Sequence, residues 1–228
     1  MPDFSVILDN LPYFLWGRAF DGQPGGLLLT LIMSVEAGAL ALVAGVLLAL
    51  LAWLAGGWTR RLLFAWADLI RGIPLIFVIF WLYFLVPAVF QVNLPDTLTV
   101  VLAIAWFTSA AVMYSTLAGL DALSRGQLEA GLSAGFSRGE VLAYILLPQA
   151  VPNVLPSLTG VLISLVKDTS LAFIVNVPEL TTVAGQVNNR TQVHPTEIFI
   201  FTGAVYFLIC GSLSGLAGAL HRRLAPAR

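Results

Sequence analysis

Charged residues are scarce in this chain. They make up 10% of its 228 residues, whereas hydrophobic residues make up 59% and the mean hydropathy is +0.93. A soluble domain carries about 25% charged residues, because polar side chains have to cover its surface. The composition therefore excludes a soluble globular protein and indicates a membrane protein. The net charge of −1 favours neither nucleic-acid binding nor a peripheral protein held to the membrane by charge.

Several chemical signatures are also missing. Cys210 is the single cysteine, so it cannot form a disulfide within the chain or a cysteine-based metal site, and His194 and His221 have no companion ligands. No GxxxxGK[ST] phosphate loop occurs, so any ATP must bind another chain. No Ser–His or paired-Asp constellation lies in the apolar runs, which argues against an intramembrane enzyme. Residues 1–23 lack a basic segment, so we expect no cleaved secretory signal.

Long apolar runs are what the sequence does contain. A bilayer core of about 30 Å requires roughly 20 helical residues, and five segments approach or exceed that length between charges and turn residues. The predicted spans cover about residues 26–55, 73–90, 98–120, 150–166 with room for a continuation, and 198–220. We therefore expect an all-α membrane protein with five transmembrane helices that forms a single transmembrane domain over residues 1–228.

The basic residues predict the orientation of these spans. Short loops rich in arginine stay in the cytoplasm. Eight basic residues lie between spans one and two, between spans three and four, or after span five: Arg60, Arg61, Arg71, Arg125, Arg138, Arg222, Arg223 and Arg228. The remaining three are Arg18, Lys167 and Arg190. This asymmetry predicts an amino terminus outside and a carboxyl terminus inside.

Two segments do not fit a simple bundle. Residues 121–147 form a predicted cytoplasmic loop that is long for a compact protein, which marks it as a candidate functional element. Residues 167–189 mix apolar residues with charges, proline, threonine and asparagine. Such a mixture suits backbone at the outer membrane edge or along a cavity, because lipid does not tolerate it.

The cytoplasmic loop carries a spaced motif: Gln127-Leu128-Glu129-Ala130-Gly131-Leu132-Ser133-Ala134-Gly135, then nine residues, then Ile145-Leu146-Leu147-Pro148. A helix over residues 127–135 would align Leu128, Leu132 and Phe136 as one apolar line. It would also align Gly131 and Gly135 as a line without side-chain bulk, open to another backbone. Glu129 is expected in the first turn, where a carboxylate suits the helix dipole.

This motif resembles the EAA loop of ABC importer permeases, with Gly131 in place of the pattern's second alanine. The resemblance implies a type I ABC importer permease fold and a short helix that docks on the ATPase subunit. The coupling residues it implies are Gln127, Leu128, Glu129, Ala130, Gly131, Leu132, Gly135 and Pro148. It also implies four partners: an ATPase dimer that holds ATP and Mg, a second permease subunit, a solute-binding protein and the transported solute. The alternative is a surface helix that lies on the lipid headgroups.

Further segments are similar to the polar amino-acid uptake branch of this family. They are Arg71-Gly72-Ile73-Pro74-Leu75, Gly126-Gln127, Leu147-Pro148-Gln149-Ala150, Lys167-Asp168-Thr169-Ser170-Leu171 and Glu179-Leu180. Trp81-Leu82-Tyr83-Phe84-Leu85-Val86-Pro87 and Arg222-Arg223 most resemble permeases of glutamate/aspartate importers. The branch usually carries a Glu and an Arg where this chain has Tyr114 and Leu117. The chain is then either a half that does not bind substrate or one that binds an unusual solute.

The candidate residues for a substrate path are Lys167, Asp168, Thr169, Ser170, Tyr114 and Glu36. Ionisable residues in membrane spans usually face a cavity or a partner, and Lys167 is a candidate to attract a substrate carboxylate. The alternatives are mutual neutralisation of Lys167 and Asp168 at the membrane edge and, for Glu36, a hydrogen bond to a neighbouring subunit or to Ser34. The hydroxyls can equally serve as contacts between helices.

The leading prediction is therefore an inner-membrane ABC permease that imports a polar amino acid, with an acidic one favoured, by alternating access. The alternatives are a permease for another polar or basic amino acid, or an oligomeric secondary transporter or channel. No inverted repeat is visible in the sequence to favour the latter. Both a homodimer and a heterodimer are compatible with the sequence.

Overall fold

The computed structural model describes residues 4–192 and 194–224, with side chains as far as residue 219. Arg228, one of the residues behind the predicted orientation, lies outside this range, as do the side chains of Arg222 and Arg223. The helices are α1 (Ser5–Trp16), α2 (Gly26–Ala55), α3 (Gly57–Gly72), α4 (Leu75–Phe80), α5 (Val86–Phe90), α6 (Asp96–Asp121), α7 (Arg125–Ser133), α8 (Arg138–Glu140), α9 (Leu147–Asp168), α10 (Leu180–Thr191) and α11 (Pro195–Leu224).

Shorter elements connect these helices. π-helical turns at Trp81–Leu85 and Val141–Leu146 join α4 to α5 and α8 to α9, and 3-10 turns cover Ala19–Asp21 and Thr169–Val175. A small antiparallel ribbon pairs β1 (Gly17–Arg18) with β2 (Gln23–Pro24). Apart from this ribbon, the regular structure of the described residues is helical, as the apolar runs predict.

Four helical segments are long and apolar enough to cross a membrane by themselves: Gly26–Ala55, Asp96–Asp121, Arg138–Val175 and Pro195–Ala219. A fifth candidate consists of α3 together with Leu75–Phe90, a pair with a sharp bend between its halves. The four to five candidates agree with a multi-pass helical protein. The count of five and the orientation of the termini stay predictions.

The break between α3 and α4 has a local cause. Ile73 precedes Pro74, and a residue before proline is pushed from helical to extended backbone. Ile73 accordingly has φ −102° and ψ 134°, and α4 starts directly after Pro74. The second predicted span is thus helical from Leu75 onward, and a preceding amphipathic helix, which the apolar runs did not reveal, ends at Gly72.

The helix of the fourth span begins earlier than the apolar runs predict, inside the segment predicted as the cytoplasmic loop. Residues 138–147, expected in that loop, are helical and continue into α9. Ser137 starts this helix with a reciprocal capping box: its N–H donates to Glu140 Oε2 (2.7 Å) and its Oγ accepts from the Glu140 N–H (3.4 Å). The box satisfies backbone donors of the first turn, so the helix begins here and not at Ala150.

The chain divides into two compact units. The first comprises Met1–Ala39, Pro74–Ala105 and Ile163–Leu213. Its core joins α1, α10 and α11, with Phe14 and Phe201 in an edge-to-face contact at 5.2 Å between ring centres. The buried members are Val6, Ile7, Phe14, Leu180, Val183, Ala184, Val187 and Ile198.

The second unit comprises Leu40–Ile73, Trp106–Leu162 and Ser214–Arg228. One core cluster consists of residues from α2, α3 and α6. Another consists of residues from the end of α6, the π-helical turn Val141–Leu146 and the start of α9. Small residues allow close helix contacts here: a side chain added at Gly119 of α6 would collide with Val154 of α9. Such contacts replace the hydrophobic driving force that is weak between helices in lipid.

Candidate functional site

The motif segment of the predicted cytoplasmic loop forms α7. The helix begins at Arg125, directly after Ser124, whose backbone is extended (φ −64°, ψ 138°). Glu129 is therefore the fifth helical residue, and its predicted place in the first turn is wrong. The reason is that Gly126 and Gln127 are already helical, which moves the motif away from the helix start. Glu129 is exposed on the helix surface.

The end of α7 is set by Gly135. The Phe136 N–H donates to the Gly131 carbonyl (3.1 Å) and the Gly135 N–H to the Leu132 carbonyl (3.1 Å), which together form a Schellman motif. Gly135 has φ +91°, a backbone conformation that favours glycine. The predicted apolar line through Phe136 is wrong for this reason, because Phe136 lies beyond the helix end.

Gly131 is buried by the same chain. A Cβ atom at this position would lie 2.7 Å from Val141 Cγ2 and 3.0 Å from Ile145 Cδ1. Gly135 has no atom within 4 Å of the corresponding point. The predicted glycine line open to another backbone is therefore wrong: Gly131 lets α7 approach the π-helical turn of its own chain, and Gly135 ends the helix.

The two faces of α7 differ in exposure. Leu128 packs on a buried cluster formed by Leu120, Val141, Leu142, Leu146 and Ala150. Glu129, Ala130 and Leu132 are exposed, as is Pro148 at the start of α9. Gln127 is half-buried, and its Oε1 accepts a 3.4 Å hydrogen bond from Gln149 Nε2. The structure thus brings the motif residues into one element and leaves a face of it uncovered.

A cleft of about 560 Å³ lies beside α7. An ion pair between Arg60 and Asp121 (2.7 Å) forms part of its wall. Its lining residues are Trp53, Arg60, Leu120, Asp121, Leu123, Ser124, Arg125, Leu128, Glu129 and Leu146. The cleft combines two arginines with two carboxylates, a surface suited to a partner of mixed charge.

Tyr114 is held by α3. Its hydroxyl donates to Asp68 Oδ1, and the Arg71 guanidinium lies 4.8 Å from the centre of its ring. Phe64 contacts the same ring edge-on at 5.0 Å. Leu117, one helical turn later, is buried in the α2–α3–α6 cluster. The two positions where the resemblance implies charges are thus occupied by an anchored tyrosine and a core leucine.

The polar residues at the end of α9 mostly contact their own helix. The Thr169 hydroxyl donates to the Val166 carbonyl (2.7 Å) and the Ser170 hydroxyl to the Lys167 carbonyl (2.6 Å). Lys167 is exposed and Asp168 is half-buried. Neither takes part in an ion pair within residues 4–192 and 194–224. The two side chains nevertheless attract each other electrostatically, so the alternative of mutual neutralisation stays open.

Glu36 is exposed on α2, and Ser34 does not serve as its partner. The Ser34 hydroxyl donates instead to the Thr30 carbonyl (2.7 Å). A metal site is likewise absent: no group of three His, Cys, Asp or Glu side chains comes together within the described ranges.

Glu179 is a buried carboxylate that the sequence reasoning did not place in a site. It caps α10 and accepts hydrogen bonds from the N–H groups of Thr181 (2.8 Å) and Thr182 (2.7 Å) and the hydroxyls of Thr182 (3.1 Å) and Tyr206 (2.9 Å). Burial raises the pKa of this carboxyl above its ordinary value, and the hydrogen bonds lower it by less. Its place in the Glu179-Leu180 family element was the available signal.

Hydrogen bonds also connect the residues on either side of Glu179 to the start of α2. The Gly26 N–H donates to the Pro178 carbonyl (2.8 Å), and the Leu180 N–H donates to the Thr30 hydroxyl (3.1 Å). Glu179 therefore lies where the starts of α2 and α10 meet Tyr206 of α11.

A comparison with protein families decides the class of this chain. Residues 41–226 match the model of the binding-protein-dependent transport system inner membrane component. The chain belongs to this family. It is accordingly a multi-pass transport component of the bacterial inner membrane and a permease subunit, not an enzyme.

Individual relatives support an amino-acid permease. The chain is 32% identical to the glutamate/aspartate import permease protein GltK of Escherichia coli O6:H1, over 98% of both chains. It is 34% identical to the probable glutamine ABC transporter permease protein GlnP of Bacillus subtilis, over 68% of this chain and 72% of the relative. A crystal structure of an amino acid ABC transporter with histidines superposes with a TM-score of 0.85 at 26% identity, covering 98% of this chain and all of the other.

These comparisons confirm the family recognised from the EAA-like motif. They also confirm an ABC importer permease for amino acids, and the family implies an ATPase and a binding protein as partners. The relatives differ in the amino acid that their names give, so these names do not agree on one substrate.

Proposed function

We propose that this chain is the permease subunit of an importer for an acidic amino acid such as glutamate or aspartate. Its likeness to GltK along nearly the whole of both chains is the observation that carries this proposal. Exposed Lys167 supports it, because a cation that forms no close ion pair among the described residues can attract a substrate carboxylate. A glutamine importer is the alternative that the likeness to GlnP favours.

In this proposal the chain spans the membrane five times, with the amino terminus outside and the carboxyl terminus inside. The four long apolar helices and the bent pair of α3 with Leu75–Phe90 supply the spans. Residues 1–228 act as one permease domain and residues 121–148 as its cytoplasmic coupling loop. Two permease subunits, identical or paralogous, enclose the path and alternate their access between the two sides of the membrane.

The exposed face of α7 is the proposed contact with the ATPase subunit, which holds ATP and Mg. Glu129, Ala130 and Leu132 project from a helix whose other face is packed on its own chain. A helix held in this way can transmit a displacement, because packed cores move as units rather than deform. The packed members of the motif, Leu128 and Gly131, then hold α7 in place and Gly135 ends it, while Gln127 contacts Gln149 beside Pro148 at the start of α9.

The substrate path is proposed to include Lys167, Asp168, Thr169 and Ser170 at the end of α9, together with Glu36. Tyr114 becomes part of the path only if the hydrogen bond from its hydroxyl to Asp68 breaks during transport. Thr169 and Ser170 serve mainly to end α9, because their hydroxyls are already bonded to its carbonyls. Lys167 is therefore the residue whose substitution tests the substrate class.

The coupling proposal is tested by Glu129→Lys, with Glu129→Gln as the matched control of equal size. Charge reversal should abolish transport and the stimulation of ATP hydrolysis by the loaded binding protein, while the neutral variant retains part of both. Both activities would be measured in proteoliposomes that contain the complete complex. Wild-type coupling in Glu129→Lys would contradict the docking role of α7.

The substrate proposal is tested by Lys167→Gln, with Lys167→Arg, which keeps the positive charge, as control. We expect uptake of glutamate and aspartate to fall much more than uptake of glutamine, because only the acidic side chains lose a charge partner. Competition between labelled amino acids in the same proteoliposomes measures this ratio. An equal loss for acidic and neutral amino acids would contradict an acidic substrate and favour the glutamine alternative.

A further inference from the structure

We propose that a cleft lined by Arg18 and Arg190 receives acidic side chains of the solute-binding protein. This outer arginine cleft has a volume of about 290 Å³ and lies within the first unit. Its lining residues are Tyr13, Gly17, Arg18, Gln23, Gly25, Asn176, Pro178, Val183, Gln186 and Arg190. The inference rests on the proposed function and on the proposed orientation of the spans.

The charge of the cleft stands out against the rest of the chain. Of the 11 basic residues, eight lie in segments assigned to the cytoplasm, and two of the other three meet here. The ion pairs of residues 4–192 and 194–224 are Arg60–Asp121 and His194–Glu197, so neither arginine of the cleft has a carboxylate partner within that part of the chain. Even Asp21, in the adjacent turn, does not pair with them. Two unpaired guanidinium groups attract a carboxylate and steer its approach.

The cleft is built before any partner arrives. Arg190 lies 5.1 Å from the centre of the Tyr13 ring, and the Tyr13 hydroxyl donates to Gln186 Oε1. The ribbon that carries Arg18 is fastened by the Gly25 N–H, which donates to the Trp16 carbonyl (3.1 Å). A preformed site loses less conformational freedom on binding, so contacts of modest strength suffice.

The shape of the cleft favours a protein partner over the free amino acid. Arg18, Gln23, Asn176 and Arg190 are exposed. A small-molecule site buries about 70–90% of its ligand, whereas exposed charges at a rim act mainly on the encounter with a macromolecule. The family depends on a binding protein, which is the partner that approaches from the side where this cleft is placed.

The test uses Arg18→Glu, Arg190→Glu and the double variant of the complete transporter in nanodiscs. Stopped-flow fluorescence measures association of the amino-acid-loaded binding protein at low ionic strength. We expect the double variant to lower the association rate about tenfold and to change the dissociation rate much less, as rim charges do. The deficit should shrink at high salt, because screening removes the steering.

Arg61→Glu is the matched control, because Arg61 is also exposed and forms no ion pair with the described residues but lies in a segment assigned to the cytoplasm. It should leave association unchanged. Arg190→Lys keeps the charge without the planar group that stacks on Tyr13, so it should keep most of the rate and also control for misfolding.

Three outcomes would overturn the inference: an unchanged association rate in the double variant, an equal deficit in Arg61→Glu, or weaker binding of free glutamate in the absence of the binding protein. The last result would assign the cleft to the solute. At saturating binding protein, the double variant should hydrolyse ATP at the wild-type rate. If the loaded binding protein did not stimulate ATP hydrolysis by the wild-type transporter, this result would contradict the proposed function and not the inference about the cleft.

Discussion

Glu179 caps the start of α10 and Glu129 lies in the middle of α7, and their surroundings are opposite. Glu179 is fully buried and accepts hydrogen bonds from two backbone N–H groups and two hydroxyls. Glu129 is exposed and has no hydrogen bond or ion pair within the described residues. A carboxylate with all its partners in the same chain holds structural elements together. One without partners on an exposed helix face is available to another protein.

The largest expected effect separates these two roles. Glu179→Ala should lower the free energy of unfolding by about 3 kcal/mol, because it leaves buried donors of Thr181, Thr182 and Tyr206 unpaired. Glu129→Ala should change it by less than about 0.5 kcal/mol, as is usual at the surface. Denaturation of the purified protein in detergent measures both. Equal stability of the two variants would remove the distinction between a structural and a docking carboxylate.

The second prediction concerns how α7 is seated. Gly131→Ala should destabilise the protein by about 1–3 kcal/mol, because the new methyl group would collide with Val141 and Ile145. Gly139→Ala is the control, since nothing lies within 4 Å of its added methyl group and its φ is not positive. The same denaturation assay compares them. A neutral Gly131→Ala would mean that α7 is not packed on the turn that follows it.

The third prediction is a pH dependence of stability that comes from Glu179. Burial raises the pKa of Glu179 in the folded protein, so its contribution to stability is present at low pH and is lost as pH rises through that pKa. Acidification from neutral pH should therefore stabilise the wild type by an amount that the Glu179→Gln variant does not gain. Melting curves across the pH range would reveal it. A constant difference between the two proteins would contradict the raised pKa.

The smallest expected effect lies in the cleft beside α7. The Arg60–Asp121 pair is exposed on both sides and should contribute at most about 1 kcal/mol. A double-mutant cycle of Arg60→Ala and Asp121→Ala isolates this coupling energy. Raising the salt concentration should weaken it further. A coupling much above 1 kcal/mol would show that this cleft is a structural network rather than an open surface.

The sequence located the coupling segment but not its geometry. The spacing of Glu129, Gly135 and Pro148 identified the motif, because those residue types recur at fixed distances in the family. The helix start at Arg125 and the Schellman turn at Gly135 depend on hydrogen bonds that a motif does not specify. The same limit hid Glu179, whose carboxylate is held in part by Tyr206 from another helix.

Apolar length alone determined the membrane class and the long helices. The first predicted span coincides with α2, since a bilayer leaves the backbone of such a run no alternative to internal hydrogen bonds. Amphipathic α1 and α3 were not predicted, because their burial depends on which neighbours cover them.

The tertiary structure alone decided which polar groups are satisfied and which are exposed. Arg18 and Arg190 are far apart in the sequence, and only folding places them in one cleft. Gly131 and Gly135 are equivalent in the motif, yet one fills a packed contact and the other ends a helix. Hydrophobic length is a local property that the chain carries by itself. Packing and hydrogen bonding depend on partners that are distant in sequence, so the fold decides them.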